Sequence, residues 1–206
     1  MHALNFFLNA NVFTLEEGNK ALRDSLERLE DDLKPLGIKG RQYFRSLLFL
    51  DLISEVELYF SAVIREVLLE HPKKLGNTQL KLSEVVDASS IDELIGRAAD
   101  EFLYKLLYKR PGEYLTGMCA ILSIDEASLT AYWPVYVEAK ARRDLGTHND
   151  WKCNDTYLRK LGEAGIESSA AVGESLHPVD GYFDKVLEEM VAMIDALADA
   201  IVAKRS

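Results

Sequence analysis

Apolar residues recur at three- and four-residue spacings along two long segments of this chain, at about 41–70 and 179–204. This spacing is the period of an α-helix that buries one face, whereas a half-buried strand requires strict alternation. No segment has convincing strand patterning. The sequence therefore predicts an all-α bundle of about five main helices. The predicted buried stripes are Phe44, Leu47, Leu48, Leu52, Leu58, Tyr59, Ala62 and Leu69 in the first segment, and Phe183, Leu187, Met190, Ile194, Leu197 and Ile201 in the second.

A capping box marks a further helix near the N-terminus. Thr14 and Glu17 have the spacing of that motif, and Pro35 follows the last apolar residue of the segment that they open. This segment is highly charged, which favours a peripheral position. We therefore predict an arm and a peripheral helix at 1–36 and a helical domain at 37–206.

Capping and helix-breaking residues also predict the shorter elements of the domain. Residues 81–87 fit a short extended segment, and the Gly-, Ser- and Ala-rich residues 163–178 predict a mobile loop. Pro134 predicts a kink or a late start in the helix that contains it. Helices are predicted at about 90–108, at about 113–121, from the cap at 123–126 into the stretch at 138–150, and at about 155–162.

The charge balance excludes some classes of protein. The net charge of this 206-residue chain is −10, which argues against a broadly basic, duplex-binding face and leaves a local basic groove open. Cys119 and Cys153 have neither CxxC nor metal-ligand spacing, so we expect reduced cysteines and no metal or cofactor. The N-terminus lacks the basic region of a signal peptide, and no run approaches the roughly 18 apolar residues of a membrane span. We therefore expect a cytoplasmic protein that does not enter membranes.

The densest cluster of cationic, acidic and titratable residues lies at 138–150, at the end of a predicted helix. Glu138 and Arg142 are four residues apart, a spacing that places two side chains next to each other on one helical face. We therefore expect Glu138 to form an ion pair with Arg142. Arg143 is then the freer guanidinium, a group that can bind phosphate bidentately.

Asp144 and His148 have the same four-residue spacing, which predicts that Asp144 orients and charge-stabilises the imidazole. Arg143 and His148 are about 140° apart on an ideal helix. We therefore expect Gly146 to bend or end the helix between them. The competing interpretation is a solvated helix C-terminus, where Arg and His complement the helix dipole.

Metal-free cleavage of RNA has three chemical requirements. It needs a base for the 2′-hydroxyl, an acid for the departing 5′-oxygen and a cation for the charge on the phosphorane. One His148 supplies only one of the two proton-transfer roles. A two-fold dimer that places both copies in one cleft supplies both, and it concentrates arginines on an acidic body. We therefore predict that half of the active site is missing from one chain.

Other side chains in or near this stretch have two interpretations each. The acids Asp51, Glu55 and Glu57 either reach the arginine cluster from the neighbouring helix or lie on the surface beside a buried stripe. Trp151 and Tyr157 either stack an unpaired base or serve as packing anchors near a helix start.

The order Arg143-Asp144-Leu-Gly-Thr-His148 resembles the signature of the HEPN superfamily, and Trp151 and Tyr157-Leu158 resemble the segment that follows it in prokaryotic branches. The resemblance implies a HEPN-like helical bundle, here with an extra N-terminal helix. It also implies a homodimer, and many members of the superfamily cleave RNA without a metal in toxin–antitoxin, abortive-infection or CRISPR systems.

Carried over residue by residue, the resemblance assigns roles within the motif. Arg143 would bind the scissile phosphate and His148 would transfer protons. Asp144 fills the polar position after the Arg, where Asn is common. We add Arg142, Asn149 and Lys152 as predicted substrate-binding residues.

The sequence thus predicts a dimeric, metal-independent endoribonuclease that acts on single-stranded or loop RNA. An antitoxin or another defence-system protein is the expected partner. The alternative is a non-catalytic HEPN-like interaction module. A third interpretation, a helical scaffold without a nucleic-acid role, predicts that Arg143 is fully paired and that His148 is buried.

Overall fold

The computed structural model describes Asp31 and residues 40–205. Except for Asp31, the predicted N-terminal helix lies outside the described residues, as does the predicted domain boundary at 36/37.

Within the described residues the chain forms eight α-helices, one short 3₁₀ helix and no β-strand, which confirms the predicted all-α class. The first and longest of them is the central helix of the bundle. It contacts four of the other seven α-helices and the 3₁₀ helix. The helices are α1 (Gly40–Glu70), α2 (Leu82–Val86), α3 (Ile91–Leu107), α4 (Pro111–Leu122), α5 (Ala127–Thr130), α6 (Trp133–His148), α7 (Asp155–Glu163) and α8 (Asp180–Arg205), and the 3₁₀ helix is Pro72–Leu75. None of them combines the length and the apolar character that would let it cross a membrane.

The predicted boundaries of α1 are confirmed, but the predicted buried face is partly wrong. Leu47 and Leu58 belong to the predicted stripe, yet they are 45% and 62% exposed, and Ala62 is exposed as well. The helix carries apolar residues on more than one face, so periodicity does not identify the face that α3, α4, α6 and α8 cover. The buried apolar side chains of α1 are Phe49, Leu52, Ile53, Val56, Phe60, Ile64 and Leu68.

Helix α6 begins at Trp133, so Pro134 lies in its first turn, where a missing N–H costs nothing. The late start is therefore the correct alternative. The indole Nε1 of Trp133 donates a hydrogen bond to the carbonyl of Pro111, 3.1 Å away, which ties the start of α6 to the start of α4. Four residues at four-residue spacing along this helix are buried: Trp133, Val137, Ala141 and Leu145.

The prediction that Gly146 bends or ends α6 is wrong, because the helix continues to His148. A Cβ atom at Gly146 would lie 2.5 Å from Cζ2 of Trp151. The Trp151 ring is buried, with its centroid 5.9 Å from that of Phe49. Glycine is therefore required at this position for the close approach of an indole, and Trp151 is a packing anchor.

One further expectation about the connecting segments is corrected, and the mobility of residues 163–178 stays a prediction. Residues 82–86 form the short helix α2 instead of an extended segment. The segment at 163–178 is irregular. Its second half forms backbone hydrogen bonds with the turn after α6, from Cys153 N to Glu174 O at 2.8 Å and from Leu176 N to Trp151 O at 2.7 Å. Leu176 is buried in a small apolar cluster between α6 and α7.

Candidate functional site

A groove of about 1060 Å³ runs between α1, the corner joining α3 to α4, and helices α6 and α7. Among the described residues that line it, five are Lys or Arg and three are Asp or Glu, so these residues give the groove an excess of positive charge on a chain whose net charge is −10. It is a local basic surface of the kind that the negative net charge of the chain does not exclude. The cations are Lys109, Arg110, Lys140, Arg159 and Lys160, and the acids are Glu57, Asp144 and Glu163.

His148 lines this groove as the last residue of α6. Its side chain is exposed and makes no hydrogen bond or ion pair with the described residues. At the end of α6 the carbonyl of Leu145 accepts a hydrogen bond from Asn149 N at 2.8 Å, so it does not need the imidazole as a partner. Exposure of His148 contradicts the buried imidazole of the scaffold interpretation, whereas the ion pairs of Arg143 agree with that interpretation. An exposed His at the end of α6 also fits the solvated helix C-terminus, and it leaves both ring nitrogens available to a ligand.

The predicted pairing of Asp144 with His148 is wrong in this structure. The Asp144 carboxylate accepts a hydrogen bond from Lys160 Nζ at 2.7 Å and lies 3.5 Å from Nη1 of Arg143. Four-residue spacing permits the contact with His148, but an ammonium group from α7 competes for the carboxylate. A full charge forms the stronger hydrogen bond, so Asp144 turns towards Lys160.

Glu57 of α1 reaches the cationic face of α6, which confirms one of the two interpretations considered for it. Its carboxylate forms ion pairs with both Lys140 and Arg143, and its side chain is only 16% exposed. The expectation that Arg143 is the freer guanidinium is therefore wrong. Its Nε is buried without a hydrogen-bond partner, and the residue is not part of the groove lining. Asp51 is exposed on the surface of α1.

Lys140 forms an ion pair with Glu57, and both residues line the groove. Burial lowers the pKa of its ammonium group to about 8, the Arg143 guanidinium acts in the same direction, and Asp144 opposes them. Contact with the Glu57 carboxylate also favours the charged form. Lys140 is therefore a protonated groove cation at neutral pH.

The Glu138–Arg142 pair is confirmed, and it belongs to a buried cluster beside the groove. Arg142 Nη2 lies 2.7 Å from Glu138 Oε1, and Tyr157 donates its hydroxyl to the same oxygen at 2.6 Å. Tyr182 donates to Glu138 Oε2, and the Arg142 guanidinium lies 3.8 Å above the Tyr182 ring centroid. This Glu138 cluster (Glu138, Arg142, Tyr157 and Tyr182) joins α6, α7 and α8. Arg142 does not line the groove, whereas its predicted role in substrate binding would require it to do so.

Asn149 and Lys152, the other predicted substrate-binding residues, lie in the turn after α6. The Asn149 side-chain amide donates to the carbonyl of Lys152 at 2.6 Å, which holds the turn together. Lys152 is exposed, with Nζ 3.6 Å from Asp150 Oδ2. Neither residue lines the groove. Tyr157 does, but it is buried and its hydroxyl is engaged, so it serves as a packing anchor rather than as a stacking surface.

Sequence reasoning did not select Lys140, Arg159 or Lys160 as site residues. Lys140 carried one signal, its position within the charged stretch at 138–150. Arg159 and Lys160 follow on α7, and no local spacing relates them to residues of α6. Their place in the groove arises from the packing of α7 on α6.

Comparison with protein-family models, with curated proteins and with solved structures gave no match to this chain. Among the described residues, no group of three His, Cys, Asp or Glu side chains has the arrangement of a metal site.

Proposed function

We propose that this chain is a metal-independent endoribonuclease of HEPN type that cleaves single-stranded or loop RNA as a homodimer, in a prokaryotic toxin–antitoxin or phage-defence setting. One observation carries the proposal: the unpaired, exposed imidazole of His148 lies in a groove with more cations than acids. Neutral imidazole accepts a proton near pH 7 and imidazolium donates one, while lysine and arginine attract the phosphate backbone.

The reaction requires no external nucleophile. One group removes the proton of a 2′-hydroxyl, the 2′-oxygen attacks the adjacent phosphorus, and the bond from phosphorus to the 5′-oxygen breaks. A second group protonates the departing oxygen, so the products are a 2′,3′-cyclic phosphate and a 5′-hydroxyl. His148 of one chain fills one role and the same residue of a second chain fills the other.

The ion pairs refine the assignment of the cations. Lys140 and Lys160 line the groove, whereas Arg143 does not. Arg143 binds phosphate only if a phosphate oxygen replaces the carboxylate of Glu57. This exchange keeps the charge of Arg143 compensated in both states, which a half-buried guanidinium requires.

The test compares the parent with His148→Ala and with His71→Ala, which removes an exposed imidazole outside the groove. Fluorescent single-stranded RNA is incubated with each protein in EDTA, and light scattering records the oligomeric state. Loss of a general acid–base residue costs roughly 10²- to 10⁴-fold in rate. We expect a loss in that range for His148→Ala, with the dimer intact, and none for His71→Ala. Equal cleavage by His148→Ala would show that the assignment is wrong.

A second candidate function is a non-catalytic interaction module that binds a partner protein. The specific observation in its favour is the engagement of Arg143 by Glu57, since a committed guanidinium is not available to phosphate. This candidate predicts no cleavage by the parent with or without divalent metal. It also predicts no cleavage by Glu57→Gln, in which the carboxylate no longer competes.

A further inference from the structure

The corner between α3 and α4 carries two aromatic side chains, together with two of the groove cations, to which the proposed reaction gives no individual role. Tyr108, Lys109 and Arg110 line the same groove as His148. Tyr104 lies one helical turn before Tyr108, and their ring centroids are 4.7 Å apart. These two tyrosines are 60% and 75% exposed, so they present ring surface to solvent instead of packing in the core.

Within the part of the chain that the structure describes, the cations of this corner have no acidic partner. Neither Lys109 nor Arg110 makes a side-chain hydrogen bond or an ion pair with the described residues, and both are exposed. Other groove cations are committed: Lys160 Nζ contacts Asp144 at 2.7 Å, and Arg159 contacts Glu163 at 2.7 Å. Unpaired cations beside exposed aromatic rings combine charge attraction with a stacking surface.

The corner is also held in place relative to α6. The carbonyl of Pro111, next to Arg110, accepts the hydrogen bond from the Trp133 indole. Tyr114, in the first turn of α4, packs on the same indole with ring centroids 5.6 Å apart. Both contacts are made to the first residue of the helix that ends at His148, so the corner and the imidazole belong to one connected framework.

We propose that this corner is a binding subsite for single-stranded RNA, in which Tyr104 and Tyr108 stack an unpaired base and Lys109 and Arg110 bind the adjacent phosphates. The subsite rests on the proposed function and deepens it by naming the feature that selects the substrate. Only an unpaired base exposes its face for stacking, and every base has such a face. The subsite therefore selects unpaired strands with little regard to sequence.

The experiment measures binding separately from cleavage. Every variant is made in the full chain with His148→Ala, and the probe is a short oligouridine RNA that contains one 2-aminopurine. Removal of a stacking aromatic weakens binding roughly 5- to 100-fold. We expect a loss in this range for Tyr108→Ala and for Tyr104→Ala, together with loss of 2-aminopurine quenching. Tyr108→Phe keeps the ring and should keep both signals, and Tyr43→Ala removes an exposed tyrosine of α1 outside the groove as the matched control.

The phosphate contacts have a separate signature. Each cation that neutralises a phosphate of a single strand contributes about 0.7 to the slope of log K against log salt. Lys109→Ala with Arg110→Ala should therefore lower the slope by about 1.4. The control pair Lys73→Ala with Lys185→Ala removes the same charge from exposed positions outside this groove and should leave the slope unchanged.

The outcomes separate the subsite from the proposed function. Unchanged affinity and quenching in Tyr108→Ala would overturn the subsite, as would a change in oligomeric state without a change in affinity, which would make the corner a subunit contact. If the tyrosine variants lose binding while protein with an intact His148 cleaves no RNA, the subsite stands and the nuclease proposal fails. If protein with an intact His148 cleaves and the tyrosine variants bind normally, only the nuclease proposal stands.

Discussion

Replacement of Glu138 by Ala removes the carboxylate at the centre of the Glu138 cluster. In the native chain this carboxylate accepts hydrogen bonds from Arg142, Tyr157 and Tyr182. The side chains of Glu138 and Arg142 are only 16% and 15% exposed, so the guanidinium would lose its counter-ion in a place that water scarcely reaches. Breaking a buried ion pair in this way costs about 3–5 kcal/mol of unfolding free energy.

We take the lower end of that range, because both groups keep some contact with solvent and the Tyr182 ring still covers the guanidinium. A loss of about 3 kcal/mol corresponds to a fall in Tm of about 6–12 °C for a chain of this length. Urea unfolding followed by far-UV circular dichroism, with thermal melts alongside, measures both quantities. The Glu138→Gln variant keeps an oxygen acceptor without the charge and should lose less.

The matched control is Glu163→Ala, which breaks a pair of the same four-residue spacing on α7, where the Arg159 side chain is 60% exposed. An exposed pair of this kind contributes about 0.3–0.5 kcal/mol. A double-mutant cycle with Arg142→Ala then separates the cost of the stranded guanidinium from the lost tyrosine contacts. If Glu138→Ala costs no more than Glu163→Ala, the reasoning about the buried cluster is refuted.

Three further predictions concern packing, pH and the site. Gly146→Ala should lose about 1–3 kcal/mol despite the helix propensity of Ala, because its Cβ meets the Trp151 ring, whereas Gly162→Ala has open space and should be neutral or stabilising in the same urea titration. Asp144→Asn should leave the acid limb of the pH profile of RNA cleavage unchanged, because the carboxylate contacts Lys160 and not His148, and a displaced acid limb would restore the carboxylate–imidazole pairing. The alkaline limb is not part of this test, because Asp144 also opposes the lowering of the Lys140 pKa. Burial holds the pKa of four tyrosines above the value of about 10 for an unfolded chain, so their contribution to stability should be complete below that pH and decline above it. Ultraviolet absorbance should then show phenolate forming at these residues only together with unfolding, and early ionisation of all tyrosines would contradict the prediction. The four are Tyr114, Tyr136, Tyr157 and Tyr182.

Local patterns were sufficient for the main helices, though not for the short helix α2, and for one ion pair. Helix α3 begins where the sequence predicts, because Ser90 caps it by accepting a hydrogen bond from Glu93 N at 3.1 Å. The two residues are three positions apart in the chain, so local sequence is enough to predict the cap. The pair of Glu138 with Arg142 was equally predictable, since both partners lie on one helix at a spacing that brings them together.

The site required information that local spacing does not contain. Asp144 has two possible partners at close range, and α7 decides between them by bringing Lys160 to its carboxylate. Arg143 is occupied by Glu57, which lies 86 positions earlier in the chain and reaches it because α1 packs on α6. Sequence patterns therefore determine which residues form helices and which charges lie side by side on one helix. Tertiary packing decides which charges neutralise one another between helices, and so which groups, above all the imidazole of His148, remain free to bind a ligand.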